Sequence, residues 1–220
     1  MAQKKVNAVI HSQEKLAEGI YSMWLDAPEM AEAAVPGQFI AVYTNDQSKL
    51  LPRPISICEA DKENGRLRIV YRIAGAGTKE FSAYKEGDTL DIMGPLGNGF
   101  PLKKKKAFLI GGGIGIPPML ELAKNLDCEK TAVIGYRDKE TFLADELRKY
   151  ADVVIATEDG SVGTKGNVID AIRAEKLTAD IIYACGPTPM LKALKAYAME
   201  NGIECYISLE EKMACGIGAC

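Results

Sequence analysis

The sequence is short of the residues that most often move protons in enzymes. Among 220 residues there is one histidine, His11. A single imidazole near the amino terminus leaves no partner for a histidine acid–base pair and no basis for a His-rich metal centre; a surface or strand-edge position is expected for it. Charge of one sign is also lacking. Lys and Arg number 27 against 30 Asp and Glu, giving a formal net charge of −3, so there is no basic field for a phosphate backbone or an anionic lipid surface. Neither nucleic acid nor membrane is expected as a partner. Long apolar runs are missing too: the least polar stretch, Ala107 to Leu120, is broken by Gly111-Gly112-Gly113 and Pro117-Pro118 and is too short to cross a bilayer. Met1 to Gln13 carries no apolar run ending in a small-residue cleavage site, which predicts no signal peptide and a cytoplasmic location.

What remains is ordinary globular composition, 47% hydrophobic and 26% charged, enough to bury a core and to exclude general disorder. The length favours two modest domains. Six cysteines in a reducing compartment are expected as buried thiols, metal ligands or both, not as a disulfide framework.

The two halves differ in pattern. From Val6 to about Pro101, short β-rich runs (residues 20–25, 39–43, 66–71 and 89–93) are punctuated by Gly, Pro, Asn and Asp. That spacing predicts an antiparallel barrel or sandwich, with a short helix over 78–84 capped by Thr78. A lysine run, Lys103 to Lys106, reads as a solvated linker into the next strand. Beyond it, apolar runs alternate with helical segments: strands are predicted at 107–111, 131–136, 152–157, 180–184 and 203–208, helices at 116–126, 140–150, 167–174 and 188–200. Such alternation predicts a doubly wound parallel sheet.

Two motifs of the second half fall at strand ends. Gly111-Gly112-Gly113-Ile114-Gly115-Ile116-Pro117-Pro118-Met119 stands between a buried strand and a helix, where glycines permit close backbone approach and N–H groups favour a pyrophosphate. Read from Gly113 it runs G-x-G-x-x-P, with Pro118 in place of the third glycine of the common dinucleotide fingerprint. Cys185-Gly186-Pro187-Thr188-Pro189-Met190 ends a later strand, where open α/β sheets place ligands; Cys185 is a candidate for lining a nicotinamide pocket or an inert buried thiol. A further glycine-rich loop, Thr157 to Gly166, lies on the same edge. In the first half, Arg53-Pro54-Ile55-Ser56 enters a strand and Tyr71-Arg72 precedes Gly75-Ala76-Gly77-Thr78. Arginine, hydroxyl and a Gly-Thr helix start together suit a phosphate-bearing cofactor.

In this order the motifs resemble the ferredoxin-NADP reductase superfamily, a flavin-binding barrel followed by a nicotinamide-binding α/β domain, and the resemblance covers nearly the whole chain. Within it, Arg53-Pro54-Ile55-Ser56-Ile57-Cys58 and the ending Glu210-Glu211-Lys212-Met213-Ala214-Cys215-Gly216-Ile217-Gly218-Ala219-Cys220 are most similar to the electron-transfer subunits of NAD-dependent, B-type dihydroorotate dehydrogenases. The resemblance implies an FAD barrel over 1–102, an NAD domain over 103–208 and, over 209–220, the start of a [2Fe–2S]-binding segment cut short. It assigns Arg53, Pro54, Ile55, Ser56, Val70, Tyr71, Arg72, Gly77 and Thr78 to FAD, with Arg53 and the helix start near Thr78 at its phosphates. Gly111, Gly112, Gly113, Gly115, Cys185, Gly186, Pro187 and Met190 go to NAD. Cys215 and Cys220, at C-x4-C spacing, match the first two thiolates of a plant-type [2Fe–2S] site; two further ligands are missing from the sequence, and Cys58, Cys128, Cys185 and Cys205 are expected as lone thiols in strands or helices.

The implied activity is that of an oxidoreductase subunit in pyrimidine biosynthesis. An FMN-containing catalytic partner oxidises dihydroorotate, and electrons reach NAD⁺ through the cluster and FAD, within a heterotetramer. No proton-transfer residue is implied, which agrees with chemistry carried by cofactors. Two alternatives stand beside this reading: the small subunit of NADH-dependent ferredoxin:NADP oxidoreductase, which shares the fold, and a non-catalytic binding module without flavin. Nicotinamide preference is left open by Arg137-Asp138-Lys139, where the carboxylate suits a ribose 2′-hydroxyl and the cations a 2′-phosphate.

Overall fold

The computed structural model describes residues 4–46, 48, 49 and 51–209. They fall into two compact units, 4–99 and 100–209.

In the first unit, β1 (Lys4–Ala17), β2 (Ile20–Asp26), β3 (Phe39–Val42), β4 (Arg53–Asp61), β5 (Arg66–Arg72) and β6 (Thr89–Leu96) close an antiparallel barrel in the order β1-β2-β5-β4-β3-β6. Alternate residues of these strands point inward, and Ile10, Met23, Leu25, Ile40, Ile57, Leu67, Ile69, Leu90 and Ile92 form a dry interior. The long first strand accommodates barrel curvature through register shifts at Ile10/Ser12 and Lys15/Ala17. Two short helices, α1 (Pro28–Ala33) and α2 (Ala76–Phe81), contribute Met30 and Phe81 to the same core. Phe81 meets Tyr71 edge-on with ring centroids 6.0 Å apart. Gln13 fixes the end of α2, donating through Nε2 to the carbonyls of Phe81 (3.2 Å) and Tyr84 (2.8 Å).

The helix near Thr78 starts earlier than the sequence reading places it. Its N-cap is Gly75, and Thr78 is the third helical residue. From there Thr78 Oγ1 reaches back to accept from the N–H groups of Ala74 (2.9 Å) and Gly75 (3.2 Å), so the hydroxyl takes the N3 role of a capping box and is not itself the N-cap.

The second unit holds six parallel strands in the order β10-β9-β8-β7-β11-β12. In chain order they are β7 (Ala107–Gly112), β8 (Lys130–Tyr136), β9 (Asp152–Thr157), β10 (Thr164–Lys165), β11 (Ile181–Cys185) and β12 (Glu204–Ser208). The helices are α3 (Pro117–Asn125), α4 (Ala144–Leu147), α5 (Val168–Ala174) and α6 (Thr188–Asn201). Central strands β7 and β11 are buried at every position, which is why they read as unbroken apolar runs without alternation. Helix α5 starts at a reciprocal box: Asn167 accepts from the N–H groups of Ile169 and Asp170, and Asp170 accepts from that of Asn167. Helix α6 stops at Gly202, in the left-handed region at φ +64°.

The helix expected over 140–150 contracts to the four residues of α4. Leu143 immediately before it adopts φ +64°, a conformation no helix can pass through.

Candidate functional site

The barrel contributes a cation and a helix start. Arg53 opens β4, and its side chain lies across the first turn of α2, so that a Cβ placed on Gly77 would be driven into the guanidinium Nε. Glycine at 77 is therefore what lets the two approach. Among the described residues, the acceptor for Arg53 is the Leu51 carbonyl, 2.6 Å from Nη1; the guanidinium has donors to spare. Guanidinium and helix amino end both favour negative charge, so the first turn of α2 under Arg53 suits a phosphate. Arg72, at the end of β5, is exposed.

The remaining first-half candidates divide between the faces of their strands. Tyr71 points into the barrel core, stacks on Tyr21 at 5.9 Å and donates to Gln13 Oε1 at 2.8 Å. Burial pushes its phenol well above the usual range. Its side chain is thus committed to the core. Val70 is buried, Ile55 packs inside the barrel, Pro54 is exposed and Ser56 half-buried opposite Phe39 of β3.

In the second unit the chain leaves β7 for one side of the sheet, returns on the other and enters β11 beside it. The ends of β7 and β11 therefore flank the point where strand order reverses, the usual ligand position in open α/β sheets. Both glycine motifs are here. Gly111 and Cys185 are register neighbours. A Cβ on Gly112 would stand 2.6 Å from Met190 Sδ and 3.0 Å from Pro187 Cδ; one on Gly186 would meet Met190 Cε at 2.6 Å. At Gly115 a Cβ would run into the Cys185 carbonyl. These glycines let two strand ends touch backbone to backbone. Gly113 differs: at φ +53° its Cβ direction meets nothing within 4 Å, so its open side faces space that a ligand can use.

Helix α3 begins with Pro117 and Pro118, which carry no N–H, so the N–H groups nearest the strand end are those of the preceding 3-10 turn Gly113–Gly115.

Other expectations resolve locally. His11 is half-buried on β1, 4.0 Å from Asp26. Each lysine of the 103–106 run has an acidic partner: Lys103 and Lys105 meet Glu204, Lys104 meets Asp127 and Lys106 meets Glu129. The run is thus tied down by ion pairs. Cys58 and Cys185 are buried, Cys128 and Cys205 half-buried; burial raises the thiols of Cys128 and Cys205 and keeps them protonated. Cys128 sits in the bend between α3 and β8, not in a strand or helix. No group of three or more potential metal ligands occurs among the described residues, and Cys215 and Cys220 lie outside them. Asp138 accepts from the Glu140 N–H at 2.9 Å within an exposed turn, flanked by exposed Arg137 and Lys139. Among the described residues no helix is long and apolar enough to cross a membrane.

One pair escaped the sequence reading altogether. Lys49 and Glu80 meet at 2.8 Å across 31 residues, and only the folded barrel joins them.

The sequence and fold are similar to those of known proteins. Residues 7–100 match the family model of the oxidoreductase FAD-binding domain. The dihydroorotate dehydrogenase B (NAD(+)) electron transfer subunit of Geobacillus sp. (strain WCH70) is 43% identical, over all of this chain and 88% of the relative. That of Streptococcus mutans serotype c is 45% identical, over 98% of this chain and 86% of the relative. The solved structure of NADH-dependent reduced ferredoxin-NADP oxidoreductase, studied for flavin-based electron bifurcation, superposes with a TM-score of 0.89 at 32% identity, covering 97% of this chain and 79% of that one. The last is the fold-sharing alternative weighed above, and its identity is lower. With closed barrel, parallel sheet and nearly full-length relatives in accord, the chain belongs to the family of dihydroorotate dehydrogenase B (NAD(+)) electron transfer subunits and is an oxidoreductase subunit.

Proposed function

We propose that the barrel holds FAD, the parallel sheet holds NAD(H), and the chain passes electrons between an FMN-containing, dihydroorotate-oxidising partner and NAD⁺ in the cytoplasm. The observation that carries this reading is the close approach of Gly111–Gly115 and Cys185–Met190 at the strand-order reversal, a backbone cradle with one open side at Gly113. Arg53 and the first turn of α2, with Gly77 and Thr78, receive the FAD phosphates; the strand segments Arg53–Ser56 and Val70–Arg72 line the flavin. Gly111, Gly112, Gly113 and Gly115, with Cys185, Gly186, Pro187 and Met190, receive the nicotinamide dinucleotide. When bound, FAD supplies the exchange of a hydride pair for single electrons. The chain's residues supply position: donors from the 113–115 turn hold the pyrophosphate, and the Met190 and Pro187 side chains wall the strand ends.

The proposal extends over 1–102 as the FAD domain, 103–208 as the NAD domain and 209–220 as the beginning of a [2Fe–2S] segment in which Cys215 and Cys220 are two of four ligands.

The test is reconstitution. With the FMN subunit and cluster restored, dihydroorotate-dependent NAD⁺ reduction requires this chain. Alone, it oxidises NADH with artificial acceptors and leaves dihydroorotate untouched. Dihydroorotate turnover by the isolated chain would overturn the division of labour.

A further inference from the structure

Gly77 and Glu80 are three residues apart on α2, hence on one helix face. Against that face lie the start of β4 and the loop that leads into it from β3. Arg53 covers Gly77. One turn on, Glu80 grips the loop: its Oε1 accepts from the Asn45 N–H at 2.7 Å, the Asp46 N–H at 3.3 Å and the Tyr84 hydroxyl at 2.7 Å, while Oε2 meets Lys49 Nζ at 2.8 Å. The loop is braced within itself as well. Asp46 accepts from the N–H and hydroxyl of Ser48 and pairs with Lys49 at 3.0 Å, and Lys49 N–H closes a turn onto the Asp46 carbonyl. The Glu80 side chain is only 18% exposed. Partial burial pushes its pKa up, but its donors, Lys49 first, outweigh that and hold it below the usual carboxylate value.

This arrangement settles which cation is available to an anion. Lys49 is matched by two carboxylates, Asp46 and Glu80. Arg53, four residues on, has the Leu51 carbonyl as its acceptor among the described residues. Arg53 stands opposite Val42 in the β3–β4 ladder, and Glu80 ties Asn45, Asp46 and Lys49 to the helix face that Arg53 covers.

We infer that Glu80 is a positioning residue for anion binding: by tying the Asn45–Lys49 loop to α2, it holds Arg53 over the Gly77 turn in the geometry that receives a cofactor phosphate. The inference rests on the assignment of Arg53 and α2 to FAD phosphates.

The experiment compares FAD with riboflavin, which has the same ring system and no phosphate, using quenching of flavin fluorescence on deflavinated full chain. Glu80→Ala weakens FAD binding about tenfold, the scale of one charge-assisted hydrogen bond lost from the phosphate site, and leaves riboflavin affinity unchanged. Glu80→Gln keeps an acceptor for Asn45, Asp46 and Tyr84 and recovers most of the FAD affinity. A general loosening of the barrel would weaken both flavins alike, and that result overturns the inference. So does unchanged FAD affinity in Glu80→Ala when Arg53→Ala, measured alongside, is weakened. Unchanged affinity in Arg53→Ala instead overturns the phosphate assignment, and the inference with it. Should Glu80→Ala fail to fold, Lys49→Ala decides: selective loss of FAD supports the brace, and no change overturns it.

Discussion

In the proposed reading each unit holds a phosphate-bearing ligand, with different parts. The barrel uses a side chain: Arg53 reaches from the start of a strand onto a six-residue helix, whose Glu80 accepts from the Asn45 N–H and pairs with Lys49. The sheet uses backbone: Gly111, Gly112, Gly115 and Gly186 permit the close approach at the ends of β7 and β11. Long-range polar contacts can be tuned residue by residue. A backbone cradle has less slack: a Cβ added at Gly115 would meet the Cys185 carbonyl.

The largest effect should therefore come from the sheet. Gly115→Ala sets a Cβ against the Cys185 carbonyl and forces the strand ends apart. Misplacement on this scale costs about a hundredfold in rate, so reduction of bound flavin by NADH falls by that order in rapid mixing while FAD content stays at the wild-type ratio. Loss of FAD from this variant would break the separation between the units.

Arg53→Ala is the converse. FAD affinity drops by roughly ten- to a hundredfold, matching about 1.5–3 kcal/mol for hydrogen bonds to a charged group, and direct binding of NADH by calorimetry is unchanged. Gly113→Ala sharpens the comparison further. Its Cβ has room in the protein but φ +53° strains it, at about 1–2 kcal/mol. The thermal midpoint moves slightly, and KM for NADH rises because the methyl group occupies the open side of the turn.

The smallest effect concerns the Lys103, Lys105 and Glu204 pairing that ties the lysine run to β12. Its hydrogen bond to Lys103, then those to Tyr206 and Lys105, hold the Glu204 carboxyl down to about 2, below the ordinary 4.5. A carboxylate whose folded pKa is depressed stabilises the fold above its unfolded value, and that contribution fades as pH falls toward the folded one. Glu204→Gln should lower the thermal midpoint slightly at neutral pH and converge with wild type near the folded pKa; a constant difference across that window contradicts the pairing.

Legibility in the sequence follows the same division. In the sheet unit every strand but β10 stands within a residue or two of its expected place, because βα alternation is local and β7 and β11 are continuous apolar runs. Both glycine motifs could be read as strand ends. That they touch could not, since the contact depends on strand order. Leu143 shows the limit: nothing in its type announces a left-handed residue that shortens α4. In the barrel, the 14-residue β1 mixes Lys, Gln and Asn with few apolar positions and is defined by pairing with β2 and β6. Arg53 and Gly77 could each be singled out from the sequence as candidates for a phosphate site, whereas Lys49 and Glu80 were ordinary surface charges until closure of the barrel joined them.

The central claim, FAD on the barrel exchanging electrons with NADH on the sheet, is tested most directly by anaerobic titration of the FAD-loaded chain with NADH. The account predicts that the flavin absorbance bleaches in proportion to added NADH, reaching completion near one equivalent, with no partner subunit present. A yellow chain whose spectrum is indifferent to excess NADH would contradict it.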